Sequence, residues 1–254
     1  MFPFDHFSGA VVVLIFALVA QNTSFFKKKA IWHMSILQTL YLVIFPGVLF
    51  SIFYAYLEVV KARPLIEAPF LSDITLTNII MLAVFFTYGG VAIHAVTKML
   101  SETSLRYEDS EEAQINRYFH RKFSHNLIYS GSLSTVVGLT LLELNHTPGS
   151  GYDGWWSPII QGGTAGFIII ASMYIYTHSK DNYTGRWADL KAAFLTLWVG
   201  FILLLYGAWR ANPSLKEYQL IVPVMSSLTL IAILNVGLII RRIHLKRNFN
   251  STED

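Results

Sequence analysis

The chain has 254 residues, of which 54% are hydrophobic and only 14% are charged. Soluble domains average about 25% charged residues, and a water-soluble protein of this composition would expose apolar patches large enough to aggregate. The composition therefore excludes an ordinary soluble domain, gives no reason to expect a nucleic-acid partner, and indicates a protein that lies in lipid. Because the chain contains no cysteine, disulfides, thiol catalysis and thiolate metal sites are excluded as well.

The hydrophobic residues fall into runs that predict membrane-spanning helices, and Pro46 predicts a kink in the second of them. A helix needs about 20 predominantly apolar residues to cross the hydrocarbon core of a bilayer. Seven runs are predicted to cross, the first of them the shortest: Phe7–Ala20, Ser35–Val60, Leu76–Lys98, Asn126–Leu144, Trp156–Thr177, Ala188–Trp209 and Leu220–Ile240. The sequence thus predicts one all-α domain over residues 1–254, a polytopic transmembrane helix bundle.

The basic residues predict how this bundle is oriented, because Lys and Arg are enriched in cytoplasmic loops. With the amino terminus outside and the connections on alternating sides, only Lys61, Arg63, Arg210 and Lys216 of the 19 basic residues lie outside. The others lie on the cytoplasmic side: Lys27, Lys28, Lys29, Lys98, Arg106, Arg117, Arg121, Lys122, Lys180, Arg186, Lys191, Arg241, Arg242, Lys246 and Arg247. This bias predicts an external amino terminus and a cytoplasmic carboxyl terminus.

One cytoplasmic connection, at about residues 99–125, is long enough to form a structure of its own. Acidic residues precede basic ones in it, and Ile115, Tyr118 and Lys122 recur at helical spacing. We expect a cytoplasmic helical hairpin, which either is a solvated element stabilised by its own charges or docks a soluble partner. The docking interpretation rests on Arg106, Glu111, Glu112, Arg117 and Phe119.

Most of the eight histidines are predicted to lie at the cytoplasmic side of the bundle. An ionisable residue at membrane depth is costly and is a functional hypothesis by default, and histidine is the commonest metal ligand. The candidate ligands of a metal ion, or of a haem near the inner leaflet, are His94, His120, His125 and His178. The alternative is that these side chains form hydrogen bonds to the backbone or to lipid phosphate.

The stretch from His120 to His125, His-Arg-Lys-Phe-Ser-His, resembles the first histidine box of the membrane acyl-CoA desaturases. That resemblance implies a di-iron site on the cytoplasmic side that abstracts hydrogen from an acyl chain. The family has two further boxes that end in paired histidines, and this sequence contains no His-His pair. A histidine-dependent metal or haem enzyme is therefore the alternative function.

Uncharged polar residues occur within the apolar runs, whereas charged residues lie near the ends of the runs. Small and hydroxyl-bearing residues allow helices to approach closely and to form hydrogen bonds across the contact. Besides this packing role, such residues could surround a neutral pore or a small-molecule cavity. The predicted lining consists of Gln38, Ser130, Ser134, Gln161, Thr164 and Asn235.

We therefore predict a non-enzymatic integral membrane protein, either a pore or transporter, or a membrane sensor that signals through the cytoplasmic hairpin. No cofactor is predicted for that function. The expected partners are the lipid bilayer, a soluble cytoplasmic protein and further copies of the chain. The strong asymmetry of the basic residues favours a bacterial inner membrane.

Overall fold

The computed structural model describes residues 6–31, 34–103, 110–149, 151–177, 190–211 and 215–250, and nearly all of them are helical. A short antiparallel ribbon, Lys29–Ile31 with Met34–Ser35, connects the first two helices. Seven long helices occur in the described part of the chain: α1 His6–Asn22, α2 Ile36–Lys61, α3 Asp73–Thr103, α4 Glu111–Leu144, α5 Trp156–Thr177, α6 Lys191–Ala211 and α7 Ile221–Asn250.

The lengths and apolar composition of several helices are those of a protein embedded in a membrane. Four are long and apolar enough to cross a bilayer: Ile36–Lys61, Asp73–Ser101, Glu111–Leu144 and Lys191–Arg210. Two further apolar helical stretches are shorter: Trp156–Ala171 and Ile221–Gly237. A helical membrane protein, as the composition predicts, is thus confirmed.

The fourth helix is longer than its apolar run because polar residues start it well before the first apolar turn. The run begins at Asn126, whereas α4 begins at Glu111. The Ser110 hydroxyl accepts a hydrogen bond from the Ala113 N–H at 3.2 Å, which caps the helix. Glu111 and Glu112 occupy the first turn, where acidic side chains interact favourably with the helix dipole.

Successive helices run in opposite directions, and α4 lies at the centre of the bundle. In the most apolar 18-residue stretch of α4, 56% of the residues are buried. The corresponding share is 17–28% in the other three long apolar helices. Antiparallel α3 packs along it, with Ile80 opposite Gly138. Parallel α6 begins beside the first part of α4, where the Asn126 side chain accepts a hydrogen bond from the Ala192 N–H at 3.2 Å.

The two ends of the bundle differ in how tightly they are packed. At the end where α2, α4 and α6 finish, here called the Glu143 end, the main core includes Tyr56, Leu142 and Ile221. At the opposite end, here called the His94 end, the described residues form only a small cluster around Leu190 and Ala193. Most of the burial that holds the helices together therefore lies at the Glu143 end.

Two helices contain a π-helical turn, Leu40–Ile44 in α2 and Phe119–Phe123 in α4. In the first of these, the Phe45 N–H donates to the Leu40 carbonyl oxygen, five residues back. Pro46 follows immediately and has no N–H to donate. The kink expected at this proline therefore takes the form of a locally widened turn, a feature that is frequent at functional sites.

Glycines bring helices into close contact, as small residues do in membranes. A side chain at Gly162 of α5 would overlap the carbonyl oxygen of Pro223 on α7. One helical turn later, a Cβ at Gly166 would lie 2.9 Å from the carbonyl oxygen of Ser227. The adjacent Gly163 faces open space, with nothing within 4 Å of a Cβ placed there.

We expect Gly162→Ala to destabilise the protein by about 1–3 kcal/mol, because α5 and α7 must separate to admit the methyl group. Gly163→Ala is the matched control, since it brings the same gain in helix propensity without a new contact. Chemical unfolding in detergent micelles gives the unfolding midpoint of each variant. Equal midpoints for the two variants would contradict the close approach of α5 and α7.

Candidate functional site

The Glu143 carboxylate, at the last turn of α4, is fully buried and connects three helices. Its two oxygens accept hydrogen bonds from the Gln219 and Leu220 N–H groups, at 2.7 and 2.9 Å, just before α7 begins. The Tyr56 hydroxyl of α2 also contacts the carboxylate by a hydrogen bond, and an Arg63 nitrogen lies 3.6 Å from it. These groups form the acid cluster, in which an anion caps the amino terminus of α7.

Tyr218 closes the acid cluster on the side of α7. Its side chain is buried, and burial raises the pKa of its hydroxyl above the ordinary value. The neighbouring Glu143 and Glu217 carboxylates act in the same direction. The phenol therefore stays neutral at physiological pH and adds no second negative charge beside Glu143.

The two residues after α4 attach the loop between α2 and α3 to the acid cluster. The Asn145 side-chain nitrogen donates to the Leu71 carbonyl oxygen at 2.6 Å. The His146 ring lies 2.7 Å from the Arg63 carbonyl oxygen through Nδ1 and 2.9 Å from an Asp73 carboxylate oxygen through Nε2. The ring thus connects the backbone at the end of α2 to the first residue of α3.

Three of the four histidines predicted as metal ligands lie together at the His94 end. The His94 ring stacks on His120, with centroids 4.2 Å apart, and on His125, at 5.0 Å. Thr97 forms a hydrogen bond of 3.1 Å with His120. The three rings form the histidine stack; His178 lies outside the described residues.

The histidine stack shows ring-on-ring packing, and a metal site at these residues stays a prediction. Among the described residues, no group of three or more His, Cys, Asp or Glu side chains could hold a metal ion. The ring planes of His94 and His120 are 22° apart, and those of His94 and His125 are 27° apart. The rings therefore pack against one another as aromatic groups.

An elongated cavity of about 410 Å³ lies beside α4, and residues of all seven helices line it. At the Glu143 end it reaches Tyr56, and at the His94 end it reaches Val91 and Tyr129. Along α4 its wall runs from Ile128 to Leu139, about 16 Å at the rise of an α-helix. Its length is thus about half the thickness of a bilayer's hydrocarbon core.

The cavity is predominantly apolar, and several of its hydroxyl groups are bonded to the backbone. Thr87 and Thr135 each donate to the carbonyl oxygen four residues earlier in their own helix, at 2.9 Å. The Tyr41 hydroxyl donates to the Ala17 carbonyl oxygen at 3.2 Å. The hydroxyl protons of these three residues are therefore bonded to backbone carbonyls and are not free to bind water or ions.

The six residues predicted to line a pore are all described, and none is among the residues that surround this cavity. Gln38 forms a capping box with Ser35 at the start of α2. Gln161 accepts a hydrogen bond from the Tyr152 hydroxyl at 3.1 Å. Both amides therefore stabilise local structure near helix ends.

The other four polar residues lie on different faces of their helices. Ser130 and Asn235 each have a buried oxygen without a hydrogen-bond partner in the part of the chain that the structure describes. Thr164 is exposed and Ser134 is half-buried. On α4, Ser132 lines the cavity, whereas Ser130 and Ser134 do not. The three serines differ in this respect only because of how α4 is rotated about its axis within the bundle.

Four of the five residues predicted to dock a partner lie on the first part of α4, and Arg106 lies outside the described residues. Glu111 and Glu112 are exposed, Arg117 is half-buried, and the Phe119 side chain is 40% exposed. This segment therefore presents charged and aromatic side chains next to the histidine stack.

The Asn116 amide joins α4 to α3 beside the histidine stack. Its nitrogen donates to the Thr97 carbonyl oxygen at 2.9 Å and to the Ser101 hydroxyl at 2.7 Å. The two helices therefore stay in contact beyond the histidine stack, as far as Ser101 of α3.

Comparison with known proteins gave no match to a protein-family model, to a curated protein or to a solved structure.

We expect Glu143→Leu to destabilise the protein by about 3–5 kcal/mol, because it leaves Arg63 and two N–H groups buried without their acceptor. Adding Arg63→Leu recovers part of that loss, since the unpaired charge is then removed as well. Chemical unfolding in detergent measures the free energy of unfolding of the two single variants and the double variant. Glu58→Leu, at an exposed position of α2, is the control. Additive losses in the double variant would contradict the pairing.

Proposed function

We propose that all seven long helices cross the membrane, with the Glu143 end outside and the His94 end in the cytoplasm of a bacterial inner membrane. Two observations support this topology. The helices alternate in direction, and only four of the 19 basic residues would lie outside. Cytoplasmic loops carry the excess of Lys and Arg in membrane proteins.

The absence of cysteine makes this topology directly measurable with single introduced cysteines. Glu67 and Glu111 are exposed at opposite ends of the bundle. In intact cells whose outer membrane has been made permeable, a membrane-impermeant maleimide should label Glu67→Cys and leave Glu111→Cys unlabelled. Both should react after the inner membrane is opened. Labelling of both from the same side would contradict an odd number of crossings between them.

We further propose that the chain is a membrane sensor that binds an apolar, lipid-soluble molecule. The central cavity carries this proposal. Its volume of about 410 Å³ lies within the range of about 300–1,000 Å³ that is typical of small-molecule sites. It is lined mainly by apolar side chains at the centre of the bundle. An apolar molecule that enters from the lipid phase is therefore the occupant that fits this lining.

The geometry supports a sensor better than a neutral pore. A pore would need polar groups free to replace the hydration of a solute, whereas Thr87, Thr135 and Tyr41 bond to backbone carbonyls. The acid cluster also closes the Glu143 end with a fully buried carboxylate. A solute crossing the bundle would have to disrupt that cluster.

The central helix connects the cavity to the cytoplasmic side. α4 forms the cavity wall from Ile128 to Leu139 and continues without a break to Glu111. Its π-helical turn, Phe119–Phe123, lies between the cavity and Arg117, and Phe119 is the first residue of that turn. A ligand that shifts the cavity wall would therefore move the segment that contains Arg117 and Phe119, which we propose as the docking surface for a soluble partner.

Photolabelling tests the binding step. We expect a diazirine-bearing C16 alcohol, a neutral probe, to label cavity residues such as Leu133 and Leu228 of the protein in lipid nanodiscs. Ala165→Leu should reduce that labelling several-fold, because Ala165 lines the cavity and the larger side chain fills part of it.

Thr164→Leu is the matched control, since Thr164 is adjacent on α5 and exposed. It should leave labelling of the cavity unchanged. Labelling confined to outward-facing residues such as Phe85 and Ile202, with no effect of Ala165→Leu, would contradict a ligand in the cavity.

A further inference from the structure

The two ends of the cavity differ in charge. Its Glu143 end is formed by Tyr56, whose hydroxyl bonds to the buried Glu143 carboxylate. Its His94 end is formed by Val91 and Tyr129, and the Tyr129 ring lies 6.1 Å from the ring of His125. The cavity therefore runs from a buried acid to a group of histidines.

Beyond the cavity, two helix faces continue its wall with basic residues. On α3, His94 and Lys98 follow Val91 at spacings of three and seven residues, which places all three on one face. On α4, His125 precedes Tyr129 by one turn, so both histidines lie about 5 Å beyond the end of the cavity. The stacking of His94 on His125 brings these two faces together.

The surroundings of the histidine stack are cationic. Lys98 is close enough to act electrostatically on both His94 and His120, and Arg121 acts on His120. Among the described side chains, no carboxylate acts on either ring. One atom also lacks a partner there, because His94 Nδ1 is buried without a hydrogen bond in the described part of the chain. A buried ring nitrogen of this kind has hydrogen-bonding capacity that a polar headgroup could use.

We propose that the ligand is a single-chain amphiphile with an anionic headgroup, either a carboxylate or a phosphate. The hydrocarbon chain occupies the cavity, and the headgroup lies at the His94 end beside Lys98 and the histidine stack. The reverse orientation would place an anion beside Glu143, which like-charge repulsion disfavours. This inference rests on the proposed binding function and adds the headgroup and the orientation of the ligand.

Competition against the neutral C16 photoprobe tests the headgroup. Unlabelled palmitate or hexadecyl phosphate should reduce cavity labelling at a concentration about tenfold lower than hexadecanol requires, because charge-assisted hydrogen bonds are stronger than neutral ones. Hexadecyltrimethylammonium should compete most weakly. Stronger competition by palmitate assigns a carboxylate, and stronger competition by hexadecyl phosphate assigns a phosphate.

Variants of Lys98 separate the headgroup from the cavity. Lys98→Met should abolish the preference for the anions and leave competition by hexadecanol unchanged, whereas Lys98→Arg should retain the preference. Lys61→Met, at the opposite end of the bundle, is the control and should behave as the unaltered protein.

Equal competition by the anions, the alcohol and the ammonium compound would overturn the anionic headgroup while leaving an apolar ligand in the cavity. Preference for the ammonium compound would overturn it as well. Failure of the neutral probe to label the cavity would instead overturn the proposed binding function itself.

Discussion

The burial of a single carboxylate, that of Glu143, organises one end of the bundle. The free N–H groups at the start of a helix need other acceptors where they are buried away from water. The carboxylate accepts two of these groups before α7 and contacts side chains of α2. A buried charge without these partners would cost several kcal/mol, so α2, α4 and α7 must meet at this point.

The rest of the architecture follows from this fixed end. The main apolar core surrounds the acid cluster, and Asn145 and His146 hold the adjoining loop against it. Toward the opposite end the packing opens into the cavity, and two of the helices that line it, α2 and α4, contain a π-helical turn. The bundle thus combines a densely packed Glu143 end with a His94 end that has a smaller apolar core, where Asn116 and the histidine stack join α3 to α4. In the proposed sensor, a bound ligand acts on this less densely packed end.

The sequence predicted the helices well, because each long apolar run must form a helix to satisfy its backbone in lipid. It predicted three of the histidines that come together at one end, since their positions near helix ends were evident from the pattern. It did not predict their stacking, which depends on the rotation of α3 against α4. The same rotation decides that Ser132 lines the cavity while Ser130 does not.

The acid cluster was missed for a different reason. Glu143 was assigned to the end of an apolar run, where a carboxylate normally reaches water. The signal that could have identified it is its position between Leu142 and Leu144 on a helix that is apolar on every side. Its partners come from distant parts of the chain, around residues 56–63 and 218–220, and no local pattern links them.

Distance measurements between spin labels test the account most directly, since the chain offers a cysteine-free background. One pair, Glu111→Cys with Lys191→Cys, reports on the His94 end, and a second pair, Glu67→Cys with Lys216→Cys, reports on the Glu143 end. On addition of hexadecanol to the protein in nanodiscs, the first distance should change by about 2 Å or more while the second stays constant. An unchanged first distance, or equal changes at both ends, would contradict the proposal that a ligand in the cavity moves the His94 end relative to the Glu143 end.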